Sequence, residues 1–345
     1  MEKNPFVSIV VSNHNGWMLN ILKPCLESIL TINYPKFEVI VIDNNSTDKS
    51  VHFVEKYFGK CSPIRCVRNP ENNYSSGLNM GIKNSKGKYI VFLNDDVTVH
   101  PNFIKEAITV LESHNEIGLA QFKLINFFKR NRIDCVGETT DIYGNAVELG
   151  HDEIDEGQYS KIKEILCAAG SACIIRKNIV NEVGYYDPEF VIGYEDLDFA
   201  LRVRLRGYRV VIIPSAEVYH RRGASYSGES LELKELSLKV KEHFYKNQIA
   251  TILKNYSLKN LIRALPILLS TYFMMFVGEV FVRKDYKLAI IRLRAILWNI
   301  KRISYLMHQR RIVQKKIRRI SDDAILRLMV ENQLPKFFRL IKSFR

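Results

Sequence analysis

Three apolar runs, each closing on a cluster of polar residues, constrain this chain most. Phe6 to Val11 (FVSIVV), Phe37 to Ile42 (FEVIVI) and Tyr89 to Leu93 (YIVFL) are near-continuous in β-branched and aromatic residues. Such runs suit strands covered on both faces, the condition of a parallel sheet between two layers of helix. Leu19 to Ile32 has helical periodicity and is stopped by Tyr34-Pro35, and Lys49 to Phe58 reads as the next helix. Strand, helix and strand in that order predict an α/β domain built on a mostly parallel, Rossmann-like sheet flanked by helices. Ligands of such sheets bind beyond the carboxyl ends of the strands. The residues that close the runs are therefore the first candidates for function: Ser12, Asn13, His14, Asn15 and Gly16; Asp43 to Asp48; and Asn94, Asp95 and Asp96.

The chemistry of these ends differs. Asp43 is placed to hydrogen-bond a base or a ribose, although with Ser46 and Asp48 it also fits plain turn and capping chemistry. Asp95 and Asp96 are adjacent acids at the end of a buried strand; unless a cation or donors offset their desolvation they are costly, and hard oxygen ligands suit Mg²⁺ or Mn²⁺. An Asx-turn is the alternative for that pair. No GxGxxG follows the first run, which argues against a dinucleotide oxidoreductase, and Gly81 to Lys88 (GIKNSKGK) misses the phosphate-loop spacing and its terminal Ser/Thr.

Further along, Ile64 to Arg68 is a short strand, and Asn72 to Gly81 (NNYSSGLNMG) offers small and amide side chains, Asn79 among them, before a helix from about Leu78. Phe103 to Leu111 reads as a helix and Ile117 to Phe122 as a strand. Asn126 to Tyr159 is polar and irregular, a region suited to acceptor selectivity. Ala168 to Ala172 are small residues past which backbone could approach a ligand, or simply pack tightly. Ile192 to His220 then combines acids, a helix, a strand and a histidine. Glu195, Asp196 and Asp198 precede Leu197, Leu201 and Leu205 at helical spacing, with Gly207 as the stop, so the acids sit at a helix N-terminus where the dipole favours carboxylates. One of them can act as a general base; equally, they read as caps, with Asp198 and Arg202 an i,i+4 ion pair. Val210 to Ile213 is a buried strand, and beyond it His220 is a neutral imidazole able to meet a metal or a phosphate oxygen.

Taken together, Val7 to Asn15, Asp43, LNDD at Leu93 to Asp96, GSACIIRK at Gly170 to Lys177, VGYYDPEF at Val183 to Phe190 and the YEDLDFALR run resemble the family 2 glycosyltransferases, closest to their rhamnosyltransferase-like branch, over roughly Phe6 to Ser225. The resemblance implies a GT-A fold, an inverting mechanism and a nucleotide-sugar donor such as dTDP-rhamnose or a UDP-sugar. It puts the metal acid on Asp96, with His220 near the metal or the diphosphate. Ser12, His14, Asp43, Asn79 and Asp95 fall at the nucleotide-sugar, and Asp196, or its neighbour Glu195, at the general base. Two departures stand out: Asn73-Tyr74 replaces a glycine-aromatic turn, where Asn would tolerate a left-handed backbone, and the metal motif reads Asn94-Asp95-Asp96 rather than Asp-x-Asp. The implied partners are the donor, a divalent cation (Mg²⁺ or Mn²⁺), and a glycan or lipid-linked saccharide acceptor in cell-surface glycan synthesis. A catalytically silent sugar-nucleotide-binding or membrane-docking subunit is the alternative.

The net charge of +14 is uneven: from Arg283 to Arg345 eighteen Lys and Arg face four acids. No nucleic-acid-reading module accompanies them, so nucleic acid is not an expected partner. Leu261 to Val282 is the most apolar stretch, but Arg263 and Glu279 leave less than the ~20 residues of a span, which predicts a helix lying in the membrane interface beside the basic tail. This divides the chain into a catalytic domain, 1–230, and a helical, basic C-terminal region, 231–345, peripheral or monotopic on the cytoplasmic face of a membrane. The first apolar run is too short for a signal peptide, and the six cysteines show no zinc or disulfide spacing.

Overall fold

The computed structural model describes residues 4–59, 63–222 and 237–331. Cys61, Ser225, the boundary at 230/231 and the end of the basic tail lie outside the described residues. The three apolar runs are neighbours in one sheet. β1 (Val7–Asn13) is buried along its whole length and lies between β2 (Phe37–Asn44) and β4 (Tyr89–Asn94), parallel to both. The register sets Asn13 beside Asp43 and Ser12 beside Asn94, so the polar closures of all three runs meet at one sheet edge.

The remaining elements build outward from this centre. α1 (Leu22–Leu30) and α2 (Ser50–Phe58) connect β1, β2 and β3 (Ile64–Asn69); α3 (Tyr74–Asn84) leads into β4; β5 (Val97–Val99) and α4 (Phe103–Ser113) lead into β6 (Ile117–Asn126). After three short strands, β7 (Ile133–Cys135), β8 (Glu138–Thr140) and β9 (Ala146–Glu148), and the two-residue β10 (Lys163–Glu164), the chain enters β11 (Ala172–Arg176), α5 (Lys177–Val183), α6 (Glu195–Leu205) and β12 (Arg209–His220). β11 runs antiparallel between β4 and β6, and β12 is parallel to β6, so the sheet is mixed, its β3-β2-β1-β4 half wholly parallel.

Alternation along the strands explains the two cores. Val7, Ile9, Val11, Val39 and Val41 face Leu22, Leu26, Phe103 and Ile104, whereas Val10, Ile40 and Ile42 face Leu78, Leu201 and Phe199. Two local expectations change. α3 begins at Tyr74, four residues before Leu78, because Asn73 caps it: its side chain accepts the Ser76 N–H at 2.9 Å from an extended backbone (φ −135°), not a left-handed one. Such a cap stabilises a helix start by about 1 kcal/mol, which an uncapped start at Leu78 forgoes. The span from Asn126 to Tyr159 is not wholly irregular, since it holds β7, β8 and β9.

The C-terminal region is helical: α7 (Leu238–Asn255), α8 (Leu258–Phe281), α9 (Tyr286–Lys301), α10 (Ile303–Ile312) and the short α11 (Asp323–Leu326). A third core joins Ile249, Ile252, Leu268, Tyr272 and Leu306 to Phe190, which precedes α6. The bundle is therefore packed onto the catalytic half through α7, which lies against α6, α8, α9 and α10.

Candidate active site

The strand-end cluster begins with amides. Asn13 donates to Asp43 Oδ1 (2.8 Å) and to Ser46 Oγ (3.1 Å), and the Ser46 N–H donates to Asp43 Oδ2 (3.1 Å). Asn44 donates to Ser12 Oγ at 2.9 Å, and His14 Nδ1 lies 2.8 Å from the Asn44 carbonyl. Asp43 is buried, held by Asn13 and Ser46, and is one of the residues lining a cavity of about 420 Å³, with Ser46, His52, Arg68, Asn69 and Pro70. A larger cavity of about 740 Å³ lies at the opposite ends of β1 and β4, among Phe6, Lys86, Lys88 and Lys177. The smaller one lies at the carboxyl ends of β2 and β3, the side of such a sheet on which ligands bind.

Asp95 and Asp96 follow β4. The His14 N–H donates to Asp95 Oδ2 (3.3 Å), and a β-carbon on Gly16 would sit 2.5 Å from that oxygen, so the carboxylate rests on a glycine that must stay bare. Burial, and then the neighbouring Asp96 charge, pushes the Asp95 carboxyl well above its usual range. Asp96 Oδ1 is buried with no hydrogen-bond partner and faces His220 Nε2 at 3.3 Å. On its other side His220 Nδ1 meets Asp134 Oδ2 at 2.8 Å, and Arg222 donates to Asp134 Oδ1 at 2.7 Å. His220 is thus not the neutral imidazole expected of an isolated ring. Burial alone would lower its pKa, but Asp96 and Asp134 push it up to about 10. Asp134 is correspondingly held down to about 2, against its burial, by His220 and Arg222.

The acids before β12 stand on a strained turn. Val191 (φ 65°), Gly193 (φ 80°) and Tyr194 (φ 66°) all take positive φ, and for the two non-glycine residues this costs on the order of 1–3 kcal/mol each. Asp196 Oδ2 accepts the Gly170 N–H at 2.9 Å, and a β-carbon on Gly170 would lie 2.5 Å from the same oxygen. The small-residue stretch therefore does bring backbone close to a partner, and the partner is Asp196. Burial pushes the Asp196 carboxyl up to about 7, against that N–H, which favours the charge. Glu195 is more deeply buried; burial and then Asp196 push it well above its usual range, and its Oε2 has no partner. Both carboxyls of this adjacent pair are thus pushed up, chiefly by burial, Asp196 to about 7, the range a general base needs. Asp198 is a structural acid, paired with Arg202 (3.0 Å) and Lys254 (3.0 Å) and held down to about 2 by Lys254 and then Arg202 against its burial.

Tyr74 joins the two sides. Its hydroxyl reaches Asn94 Oδ1 (2.9 Å) and the Gly170 carbonyl (3.2 Å), and it is pushed up by burial and then by Asp196, Glu195 and, more weakly, Asp96. Ser12, His14, Asp43, Asp95, Asp96 and His220 are gathered at one edge, and Glu195 and Asp196 face it across Tyr74. Asn79 stands apart, its amide exchanging two hydrogen bonds with the Tyr186 backbone at 2.9 and 3.0 Å. Sequence reasoning missed Asp134, Arg222 and Glu138. Glu138, on β8, is pushed up to about 8 by burial and then by Asp196, so it belongs to the same acidic pocket. All three lie in segments without local periodicity, and only the sheet brings Asp134, on β7, to His220.

The family described as glycosyl transferase family 2 matches residues 8–184. An uncharacterized protein y4gI of Sinorhizobium fredii is 29% identical over 73% of this chain and 28% of its own length, and the O-antigen biosynthesis protein RfbC of Myxococcus xanthus is 24% identical over 66% and 18%. The chain therefore spans less than a third of these two curated relatives. The crystal structure of GalNAc-T7 with UDP, GalNAc and Mn²⁺ superposes with a TM-score of 0.60 at 16% identity, over 88% of this chain and 58% of that one. The fold it shares is the GT-A fold, a mixed α/β sheet with flanking helices, here followed by a C-terminal helical region. With the family matching half of the chain and the acids gathered at the strand ends, the chain belongs to glycosyl transferase family 2.

Proposed function

We propose that the protein is an inverting glycosyltransferase that moves a sugar from a nucleotide-sugar donor, dTDP-rhamnose or a UDP-sugar, to a saccharide or lipid-linked saccharide acceptor in cell-surface glycan synthesis. The observation that carries this reading is Asp196: a half-buried carboxyl pushed up to about 7, held by the Gly170 N–H on a strained turn facing the strand-end cluster. A base titrating near neutrality can take the acceptor hydroxyl proton as that oxygen attacks the anomeric carbon, and a single displacement inverts the centre. Glu195, raised in the same direction by burial and then by Asp196, remains the alternative base. The nucleoside is recognised by Asp43, Ser12 and His14 beside the 420 Å³ cavity, with Asp95 braced by the His14 N–H and Asn79 steadying α3 behind them.

The residues fit a divalent cation, Mg²⁺ or Mn²⁺. Asp96 Oδ1 is buried without a hydrogen-bond partner and faces His220 Nε2, and Asp134 holds the far side of the imidazole; a bound cation would take the place of the proton that the two acids otherwise keep on Nε2. Among the described residues no three His, Cys, Asp or Glu converge on one point. Two protein ligands suit a hard cation that takes its other oxygens from substrate phosphates. When bound, the ion would neutralise charge on the departing diphosphate. GalNAc-T7 was crystallised with UDP and Mn²⁺, which supports the same pairing of nucleotide and cation here.

The C-terminal helices support a membrane surface as the second partner. In α8 the most apolar window has a mean hydropathy of 1.7, only 22% of it is buried, and Ile262, Ile267, Phe273 and Met274 are exposed. On α9, Ile290, Leu293, Leu297 and Ile300 form an exposed stripe flanked by exposed Lys287, Arg294 and Lys301. Exposed apolar area of this extent marks an interaction surface, and its cationic flank suits an anionic cytoplasmic leaflet with α8 and α9 lying in plane. Glu279, which argued against a span, is buried against Arg292 at 2.7 Å, so it does not face outward.

Titration with UDP-, dTDP- and GDP-sugars, with and without Mn²⁺ or Mg²⁺, tests the donor reading by calorimetry. Cation-dependent binding of one nucleotide class is expected; folded protein that binds none of them overturns it. Sedimentation with phosphatidylglycerol vesicles at low salt tests the membrane reading: the protein pellets, and Leu293→Asp with Leu297→Asp releases it. Protein that stays in the supernatant removes that partner.

A further inference from the structure

The strained turn that carries Glu195 and Asp196 needs an external constraint, because two of its non-glycine residues occupy left-handed backbone. That constraint comes from α7, outside the matched family region at 8–184. Asn247, 0% exposed, directs its amide nitrogen to the carbonyls of Phe190 (2.9 Å), Ile192 (3.1 Å) and Gly193 (2.6 Å), so its two hydrogens are shared among three acceptors. The Asn247 side-chain oxygen accepts from Lys246 Nζ (2.7 Å), which also donates to the Glu189 carbonyl (2.6 Å).

Two helical turns further on, the same face of α7 presents Lys254, 2% exposed. Its Nζ lies 2.7 Å from Asp187 and 3.0 Å from Asp198, one acid before the turn and one after it. Asn255 donates to Asp198 Oδ1 at 2.8 Å, and a β-carbon on Gly193 would strike the Phe244 ring at 2.6 Å. Asn247 thus grips the middle of the turn and Lys254 ties its two ends. Buried polar groups are a costly way merely to anchor a helix, since apolar side chains of similar volume do so with less desolvation. Here their donors are aimed at the backbone and flanking acids of one short segment.

We propose that α7 is the positioning element of the active site, with Asn247 and Lys254 setting where the Asp196 carboxylate stands. The inference rests on the reading of Asp196 as the base. Displacing a reacting group by about 1 Å can lower turnover ~10²-fold without touching substrate binding.

The test compares Asn247→Ala with Asn260→Ala, a buried bundle asparagine bonded to Asp322 at 2.7 Å and away from the turn. Two readouts are taken on the full chain: hydrogen exchange of the amides from Ile192 to Asp196, and nucleoside diphosphate release from UDP-, dTDP- and GDP-sugars. For Asn247→Ala we expect exchange across the turn to rise at least ~10-fold and kcat to fall ~10²-fold with the donor KM held within about twofold; Asn260→Ala should change neither. Turn protection and kcat unchanged in Asn247→Ala, or equal losses in both variants, overturn the proposal. If Asn247→Ala does not fold, Asn247→Ser, which keeps one donor, decides by the same criteria with a kcat loss of about 10-fold. Failure of the base reading is distinguishable: Asp196→Asn would then keep its turnover whatever the exchange at the turn shows.

Discussion

The proposed donor side and the proposed base side of the site lie at one end of the sheet, yet they are built on opposite terms. Just after β1 and just after β2 the backbone turns left-handed at Asn15 (φ 58°) and Asn45 (φ 55°), residues that tolerate that conformation. The polar side chains there satisfy one another, with Asp43 held by Asn13 and Ser46 and with Ser12 held by Asn44. Before α6 the same conformation falls on Val191 and Tyr194, which resist it, Glu195 keeps a buried oxygen without a partner, and the Asp196 carboxyl is pushed up to about 7. The β1–β2 part of the proposed recognition half is relaxed and self-contained, in contrast to the crowded acids Asp95 and Asp96 after β4. The reactive half stores strain and unfavourable charge, and a helix from another part of the chain holds it in place. Unpaired carboxyls lower stability, but they are what makes a proton mobile near neutral pH.

If this contrast is real, the largest effect belongs to the reactive half. Asp196→Asn should lower turnover by about 10²–10⁴-fold while donor affinity, read by calorimetry, stays unchanged; retained turnover would remove the distinction. In the intact protein kcat/KM should climb through about pH 7 as Asp196 loses its proton.

Lys254→Met probes the brace. Removing one partner of a buried ionic cluster costs about 3–5 kcal/mol, which a shift of the urea midpoint reads. Asp198, held down to about 2, contributes stability that is present above pH 4 and lost as pH falls toward 2; with Lys254 gone that acid-side loss should shrink.

Asp43→Ala tests the relaxed half. Loss of a charge-assisted hydrogen bond predicts nucleotide affinity lower by about 10–100-fold, with kcat in saturating donor little changed. An equal fall in kcat would mean the two halves are not separable.

The smallest effect is on stability, and its sign is the sharpest part of the contrast. A carboxyl whose folded pKa is raised binds its proton more tightly when folded, so its contribution to stability declines as pH rises from about 4 to about 7. Asp196→Asn removes that decline, and the inactive variant should melt higher than the parent at pH 8 and by less at pH 5. A lower melting temperature at pH 8 would contradict the strained assignment.

How much of this was legible before folding follows from what each feature depends on. β1, β2 and β4 announce themselves because a strand buried on both faces needs an unbroken apolar run, and their polar closures mark the site because parallel strands end together. The start of α3 was misplaced because one side-chain cap, at Asn73, outweighs the apolar pattern that begins near Leu78. The surroundings of His220 were not legible, because its charge state depends on Asp134, distant in sequence and in a segment with no pattern of its own.

The sequence by itself determined the sheet, the order of its central elements and the identity of the acids at its edge, since apolar periodicity and strand-end polarity are local properties of the chain. Only the tertiary structure decided which acids are paired and which stand alone. Asp198 became a structural ion pair with Arg202 and Lys254, Asp196 a carboxyl raised to about 7, and Asp96 the ion-pair partner of His220. It also decided that α7 belongs to the active site, through bonds from Asn247 and Lys254 to residues some fifty to seventy positions earlier. Charge state and backbone strain are set by what surrounds a residue in space, and nothing in the local sequence encodes those neighbours.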